Sequence, residues 1–132
     1  MRLRLWPDDS EAEHLRYMAD AFARGYFVRL AIAVSGAAMG FVEASKRVDY
    51  VNGTNSSPVA FLEGLYVEPA SRGSGVARAL VAAVEAWAAE AGYTELASDS
   101  PIKNTVAHAV HRALGFAETE RVVYFCRSVH SA

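Results

Sequence analysis

The sequence predicts an α/β protein with a mixed sheet whose first half is antiparallel, on three observations. Apolar β-rich runs at residues 26–34, 37–45 and 59–67 follow one another with no helix between them, which is typical of antiparallel strands. Beyond them, segments of helical period alternate with short β-rich runs, which predicts crossover helices in the second half. A chain of 132 residues supports one hydrophobic core, so we expect a single domain over residues 1–132.

The first part of the chain predicts a helix and a hairpin. Residues 6–10 read as a turn that enters a helix, with Asp9 or Ser10 as its N-cap. Apolar residues then recur at helical spacing until Gly25, where the helix ends. The first two β-rich runs meet at Ser35-Gly36, and this tight turn predicts a hairpin.

The remaining elements follow a polar loop at residues 46–58, which is long enough for a functional role. The third strand comes next and ends before Pro69. Beyond it, the predicted elements are a helix over 76–91 with Gly92 as its C-cap, a strand over 93–97, a helix over 104–114 that ends at Gly115, and a final strand over 119–127.

The composition argues against several classes of protein. With 13 Lys and Arg against 15 Asp and Glu, the net charge of −2 disfavours a general nucleic-acid binder. No signal peptide is recognisable and no apolar run reaches the ~18 residues that cross a bilayer, so we expect a soluble, cytoplasmic protein. The single cysteine, Cys126, excludes an intramolecular disulfide; beside Tyr124 and Phe125 it is expected to be a buried strand thiol.

One stretch of the sequence indicates what kind of ligand the protein binds. The strand Glu63-Gly64-Leu65-Tyr66-Val67 ends at Pro69, and the turn Arg72-Gly73-Ser74-Gly75 then leads into the longest predicted helix. Such a turn gathers backbone N–H groups at the positive end of a helix dipole, which suits a phosphate group. Its glycines allow close approach and positive φ. The stretch therefore predicts a phosphate-bearing ligand.

These residues resemble a known family. Val67-x-Pro69, Arg72-x-x-Gly75-x-Ala77 and the segment from Asn104 to Leu114-Gly115-Phe116 are similar to the GNAT superfamily of acetyl-CoA-dependent N-acetyltransferases. Within it, the chain most resembles the aminoglycoside 6′-N-acetyltransferases, over roughly residues 5–127. The strings behind this closer likeness are Leu5-Trp6-Pro7, Asp49-Tyr50-Val51-Asn52-Gly53, Ser56-Ser57-Pro58, Phe61-Leu62-Glu63-Gly64, Ala97-Ser98-Asp99 and Leu114-Gly115-Phe116-x-Glu118-Thr119-Glu120-Arg121-Val122.

The resemblance implies a GNAT-like acyl-CoA N-acyltransferase fold in which splayed central strands hold acetyl-CoA. The substrate amine attacks the thioester directly, and the sequence offers no convincing nucleophile–base pair for a covalent route. Family members begin with a strand that would precede residue 1; two explanations stay open, that the start of this sequence is mis-assigned or trimmed, or that the strand is absent. Asn104 suits both a cofactor contact and a helix N-cap. The implied cofactor contacts are Leu65, Tyr66, Val67, Gly73, Ser74, Gly75, Val76, Ala77, Arg78 and Asn104.

The resemblance also implies a substrate site. Glu63, Asp99 and Glu120 match acidic residues that hold the polycationic sugar, with surface charge as the alternative. An unpaired carboxylate inside an apolar strand is costly, so Glu63 is expected to face solvent or ligand. Whether Glu63 also acts as the base, directly or through water, stays open. The implied catalytic set is Glu63, Asp99 and Val67, whose backbone N–H is the oxyanion donor.

Two aromatic residues and one proton donor complete the implied site. Trp6 and Tyr50 match residues that stack on the sugar or bond its hydroxyls, with loop packing as the alternative. The proton donor to the leaving thiolate is open between His111, which stands where many GNATs carry tyrosine, and Tyr124. A packed structural role is the alternative for His111. We assign no metal ligand.

The resemblance therefore predicts an aminoglycoside 6′-N-acetyltransferase, which transfers acetyl from acetyl-CoA to an amine of the antibiotic and gives resistance. Two alternatives stay open: a GNAT that acetylates another small amine or a protein N-terminus, and a non-catalytic acyl-CoA-binding protein. A homodimer is expected because related enzymes pair through their sheets, with no nucleic-acid or membrane partner.

Overall fold

A computed structural model describes residues 1–130, and its elements follow the predicted order closely. The helices are α1 (Arg2–Leu5), α2 (Glu11–Ala23), α3 (Val76–Glu90) and α4 (Thr105–Ala113). The strands are β1 (Phe27–Ile32), β2 (Ala38–Arg47), β3 (Val59–Val67) and β4 (Leu96–Ser98), and a 3₁₀ turn over Pro69–Ser71 follows β3.

The four strands form one mixed sheet in the order β1-β2-β3-β4. The first three pair antiparallel, while β4 lies parallel to β3 after the crossover through α3. The predicted antiparallel first half and crossover second half are thus confirmed. Between β2 and β3 the register passes from Glu43 opposite Gly64 to Ala44 opposite Leu62, so Glu63 is the extra residue of a β-bulge.

Ser10, one of the two predicted N-caps, caps helix α2. The Ser10 hydroxyl accepts a hydrogen bond from the Glu13 backbone N–H at 3.1 Å, and the Glu13 side chain reaches back to the backbone N–H of Ser10. This capping box satisfies two backbone donors that the first helical turn leaves free. It fixes where the chain turns from α1 into α2, above the sheet.

The core lies between the sheet and α3. Its buried cluster joins strand residues to one face of α3, and Val42, Val59 and Val84 are the largest side chains that are fully buried. The cluster consists of Phe27, Val42, Ala44, Leu62, Val76, Leu80 and Val84, with Trp87 and Phe116 packed against it. Burying this apolar stripe holds α3 on one face of the sheet. The opposite face carries α1 and α2.

The prediction of a final strand over residues 119–127 is wrong. Residues 116–130 contain no helix or strand, and residues 117–130 are exposed. The expected buried thiol of Cys126 is likewise exposed, and Phe125 beside it is 93% exposed. A strand needs a neighbouring strand for its backbone hydrogen bonds, and this segment pairs with none among residues 1–130. We call residues 117–130 the C-terminal tail.

The fourth strand starts later than predicted. The Tyr93 N–H bonds back to the Ala88 carbonyl at 2.9 Å, so this residue still belongs to the exit from α3. Pairing with β3 begins only where the Glu95 carbonyl accepts the Ala60 N–H at 3.1 Å. The strand is therefore short, and it ends at Ser98.

Candidate active site

The glycine-rich turn before α3 has the geometry of an anion site. Gly73 and Gly75 have φ of 75° and 87°, which L residues rarely adopt. Gly75 is the N-cap of α3 and supplies no side-chain acceptor, so the N–H groups of the first helical turn have no capping side chain. These N–H groups point out of the positive end of a 15-residue helix. The predicted phosphate cradle, Gly73 to Arg78, has a matching backbone arrangement.

The sheet forks between β3 and β4. The two strands pair over three positions only and stop at Leu62 opposite Ser98, whereas β3 continues to Val67. On its other edge β3 stays paired with β2 as far as Gly40 opposite Val67. Past the fork, the β4 side of β3 has no strand partner in the described part of the chain. An extended cofactor arm can pair with the backbone there, along Leu65 to Val67.

Glu63 is held firmly at the fork. Its carboxylate accepts hydrogen bonds from the Ser45 hydroxyl at 2.6 Å and from the Arg47 guanidinium at 2.9 and 3.0 Å. Arg47 in turn lies over the Phe61 ring, with its Cζ 3.5 Å from the ring centroid. These donors lie on both carboxylate oxygens and fix the orientation of the Glu63 side chain.

A cavity of about 230 Å³ opens beside Glu63 on the α1 face of the sheet, lined by Arg2, Trp6, Asp9, Glu43 and Glu63. Three of these five residues are carboxylates, and one is a large aromatic ring. Carboxylates that surround an aromatic surface suit an amine-bearing sugar.

Trp6 is fixed in the wall of this cavity. Its ring lies against Gly64, where an added Cβ would come within 2.8 Å of Trp6 Cζ2. The Arg2 guanidinium covers the ring at 4.6 Å, and His14 stacks at 6.4 Å between centroids. His14 Nε2 also donates to the Trp6 carbonyl at 3.0 Å. The glycine is thus required for close approach of the ring to β3.

Glu43 is a site residue that the sequence reasoning missed. It is 6% exposed, and its carboxylate pairs with Arg2. The sequence contained a signal for Glu43. Like Glu63, it is a glutamate inside an apolar strand, where burial of an unpaired carboxylate would be costly. Asp9, named from the sequence only as a candidate N-cap, also lines the cavity.

The other predicted substrate residues lie outside the cavity lining. Asp99 is exposed directly after β4, and Tyr50 is 71% exposed in the loop after β2. Glu120 lies on the C-terminal tail, where it accepts a hydrogen bond from Asn52 at 3.0 Å. Asn104 caps α4 by accepting the Ala107 N–H at 3.1 Å. The structure therefore groups Trp6 and Glu63 and leaves the rest as predictions.

The structure also contains a hydroxyl–imidazole pair, against the expectation of no convincing nucleophile–base pair. Ser98 Oγ lies 2.8 Å from His111 Nε2, and His111 Nδ1 lies 2.7 Å from the Ala107 carbonyl. The two residues are far apart for a sequence motif but meet where β4 ends beneath α4. The His111 ring packs edge-on against Phe116, with centroids 5.3 Å apart.

These features together define a class of protein. An open backbone cradle leads to a forked sheet on one side, and a cavity lined by three carboxylates, Arg2 and Trp6 lies on the other. That arrangement suits an enzyme that transfers a group from a phosphate-bearing donor to a cationic acceptor. The chain belongs to the acetyltransferase (GNAT) family, whose model matches residues 1–116. The predicted activity class, an acetyl-CoA-dependent N-acetyltransferase, is confirmed by this membership.

Sequence relatives narrow the family further. The chain is 58% identical over 127 residues to an aminoglycoside N(6′)-acetyltransferase type 1 of Stenotrophomonas maltophilia, a match that covers 95% of this chain and 81% of the relative. It is 49% identical over 129 residues to the protein of the same name from Acinetobacter haemolyticus, covering 98% and 88%. The resemblance drawn from the sequence is thus confirmed.

Solved structures agree with the fold. The crystal structure of the apo aminoglycoside 6′-N-acetyltransferase AAC(6′)-IG from Acinetobacter haemolyticus matches with a TM-score of 0.91 at 49% identity, covering 98% of this chain and 88% of that one. AAC(6′)-Iy in complex with a bisubstrate analogue, CoA-S-monomethyl-acetylneamine, matches with a TM-score of 0.90 at 44% identity, covering 98% and 88%. In the part of the chain that the structure describes, no helix is both long and apolar enough to cross a membrane.

Proposed function

We propose that this chain transfers acetyl from acetyl-CoA to the 6′-amine of aminoglycoside antibiotics and thereby confers resistance. The observation that carries the proposal is the cavity at the fork, where Trp6 offers a flat apolar surface and Asp9, Glu43 and Glu63 offer carboxylates. The names of the relatives supply the substrate class. Acetylation removes one positive charge, and the antibiotic depends on its charges to bind ribosomal RNA.

The donor side of the reaction is assigned to the backbone. The N–H groups from Gly73 to Arg78 hold the pyrophosphate, and the pantetheine arm pairs along Leu65 to Val67. A backbone N–H near Val67 stabilises the oxyanion, a contact commonly worth about 3 kcal/mol in the transition state. Asn104 contacts the arm in addition to capping α4. The open β4 side of β3 supports this assignment.

The acceptor side is assigned to side chains on the opposite face. Glu63 orients an ammonium group of the sugar, and Trp6 packs against a ring. Asp99, Tyr50 and Glu120 then close around the rest of the antibiotic. Their exposure in the free protein supports this role, since their polar groups are available to a ligand.

Release of coenzyme A tests the proposal. Purified protein is incubated with acetyl-CoA and kanamycin, and free thiol is measured over time. The matched control is an aminoglycoside that carries a hydroxyl in place of the 6′-amine. We expect turnover with kanamycin and a loss of at least tenfold with the control. No turnover with any aminoglycoside, while acetyl-CoA still raises the melting temperature, refutes the substrate assignment and leaves another small amine, a protein N-terminus or a binding role.

We further infer a homodimer, formed by the C-terminal tail of one copy against the sheet of another. Tail residues Val123, Tyr124 and Phe125 are 71%, 85% and 93% exposed, an unusually apolar stretch to leave in water. The tail has the alternation of a strand, and β4 ends the sheet with an open edge. Every copy carries both surfaces, so a two-fold pairing satisfies them reciprocally.

We also propose a cytoplasmic location for the protein, since acetyl-CoA is an intracellular cofactor.

Light scattering during size exclusion tests the dimer. We expect wild-type protein at twice the chain mass of 14.3 kDa and Val123→Asp at the monomer mass. Val34→Asp is the matched control, because Val34 is fully exposed on the turn between β1 and β2. A monomeric wild type at micromolar concentration contradicts the inference.

A further inference from the structure

The two carboxylate oxygens of Glu63 are unequally occupied. Oε1 accepts hydrogen bonds from the Ser45 hydroxyl at 2.6 Å and from Nη2 and Nε of Arg47 at 2.9 and 3.2 Å. Oε2 accepts one hydrogen bond, from Arg47 Nη2 at 3.0 Å. An ionised carboxylate offers about four lone-pair positions, shared equally between its oxygens. Among residues 1–130, therefore, the positions of Oε1 are filled and Oε2 keeps one that no donor uses.

The donors that occupy Glu63 are fixed in place. Ser45 is 2% exposed, and it pairs in register with Phe61 of β3. The Arg47 guanidinium lies over the buried ring of Phe61, which limits the directions that this long side chain can take. Both donors belong to β2 and lie two residues apart, so they share one face of the sheet. The Glu63 carboxylate is thus held against β2 from one side.

The unused position of Oε2 is open to the cavity on the α1 face. Glu63 lines this cavity, whereas Ser45 and Arg47 are not among its lining residues. The two donors therefore approach the carboxylate from outside the cavity and leave its inner side to a ligand. Glu43 differs, because the arginine that binds it also lines the cavity. Asp9 differs too, since it has no ion-pair partner within the described residues that would fix it.

We propose that Ser45 and Arg47 are positioning residues that set the substrate specificity of the cavity, an inference that rests on the proposed acetylation of aminoglycosides. They leave Glu63 one acceptor position, which points into the cavity and receives one ammonium group of the antibiotic. The carboxylate cannot turn toward a differently placed ammonium without breaking its bonds to Ser45 or Arg47. A substrate that carries several amines is therefore held in one orientation.

The two positioning residues act in different ways. The Ser45 hydroxyl decides which oxygen stays free, because without it Oε1 regains an acceptor position and an ammonium can approach from a second direction. The Arg47 fork decides how the carboxylate is turned, since the planar guanidinium reaches both oxygens. Lysine keeps the charge at this position but has no fork, so Arg47→Lys separates the effect of charge from that of geometry.

Steady-state kinetics with kanamycin test the inference, with thiol release as the readout. Arg47→Met keeps the side-chain stem over Phe61 and is expected to raise the kanamycin KM about tenfold, the loss typical of one hydrogen bond to a charged group. Ser45→Ala is expected to raise it about fivefold, since Arg47 still holds the carboxylate. Arg47→Lys is expected to fall between Arg47→Met and wild type. In all three variants kcat is expected to stay within about threefold of wild type and the acetyl-CoA KM to stay unchanged, because only the hold on the antibiotic is altered.

A Glu63→Gln background shows whether the two residues act through the carboxylate. There, Ser45→Ala and Arg47→Met are each expected to change the kanamycin KM by less than about twofold, because no charged carboxylate remains to be positioned. Two matched controls report general damage to the sheet. Lys46→Met removes an exposed cation next to Arg47 on β2, and Ser35→Ala removes a hydroxyl from the β1–β2 turn; neither is expected to change either KM.

Calorimetric binding of kanamycin to the same proteins separates this inference from the proposed function. A wild type that binds kanamycin without turnover counts against the acetylation, while the Kd values of the variants still test the positioning. The inference is overturned if Ser45→Ala and Arg47→Met both stay within about twofold of wild type in KM and Kd, or if their losses persist in full in the Glu63→Gln background. A wild type that does not bind kanamycin overturns both proposals.

Discussion

Gly64→Ala tests the construction of the acceptor cavity most directly. Gly64 sits on β3 with the Trp6 ring packed on its Cα, and its φ lies outside the left-handed region that favours glycine. An added Cβ would lie 2.8 Å from Trp6 Cζ2 and 3.4 Å from Leu5 Cδ2, where ordinary contacts begin at 3.4 Å. The methyl group therefore fits only if the tryptophan ring moves out by more than about 0.6 Å.

The cost of that movement can be estimated from its surroundings. Trp6 is confined by Arg2 on one side and His14 on the other, so it cannot pivot freely. Overpacking of this kind costs about 1–3 kcal/mol. At roughly 4 °C per kcal/mol for a chain of this size, the melting temperature should fall by about 4–12 °C. The aminoglycoside KM should rise by about tenfold, since the displaced ring intrudes on the cavity, while the acetyl-CoA KM should not change.

A double variant isolates the clash itself. Trp6→Leu removes the ring atoms that the new methyl meets, so Gly64→Ala in that background should cost less than half of its effect in the wild type. Thermal unfolding by circular dichroism measures the four proteins of the cycle. Additive losses would show that Gly64→Ala acts through β3 itself, and the account of Trp6 as the wall of the cavity would then be wrong.

Three further variants probe other parts of the site. Glu63→Gln should raise the aminoglycoside KM at least tenfold and leave the acetyl-CoA KM unchanged, with exposed Glu90→Gln on α3 as the neutral control in the same coupled assay. Gly75→Val places a branched residue at φ 87°, a strain of about 1–3 kcal/mol, and should abolish the rise in melting temperature that acetyl-CoA gives the wild type. Hydrogen bonds from the Ser56 hydroxyl and the Asn55 N–H hold the pKa of Glu95 below its ordinary value of 4.5, so their stabilisation is present above that pH and is lost as pH falls through the lowered pKa. Glu95→Gln should therefore flatten the decline of melting temperature below pH 4.5, and an unchanged decline would count against the loop anchor.

The sequence predicted correctly those elements whose bounds depend on residues close together in the chain. The bounds of β3 match the prediction residue for residue, because an apolar run between prolines leaves little freedom. The start of α2 at Ser10 follows from a capping box whose parts lie three residues apart. The glycine turn before α3 could also be predicted from the sequence. Gly73 and Gly75 have positive φ, and glycine is the residue that adopts such a backbone conformation most readily.

The misses share a different physical cause. The C-terminal tail has the alternation of a strand, but a strand is completed by a neighbour that its own sequence does not encode. The Ser98–His111 pair joins residues thirteen positions apart through the register of β4 and the placement of α4. Each of these depends on tertiary register, which periodicity alone does not set.

The cavity is nearly balanced in charge before any substrate arrives, and this bears on how it selects a polycation. Glu43 is paired with Arg2, and Glu63 with Arg47, while Asp9 has no ion-pair partner among residues 1–130. Bulk attraction is therefore modest, and an incoming ammonium must share carboxylates that arginines already bind. Leaving either carboxylate without its arginine would be costly, so the arginines stay and fix the oxygens in place. Selection then depends on where the remaining lone pairs point, which suits recognition of one particular amine on a substrate that carries several.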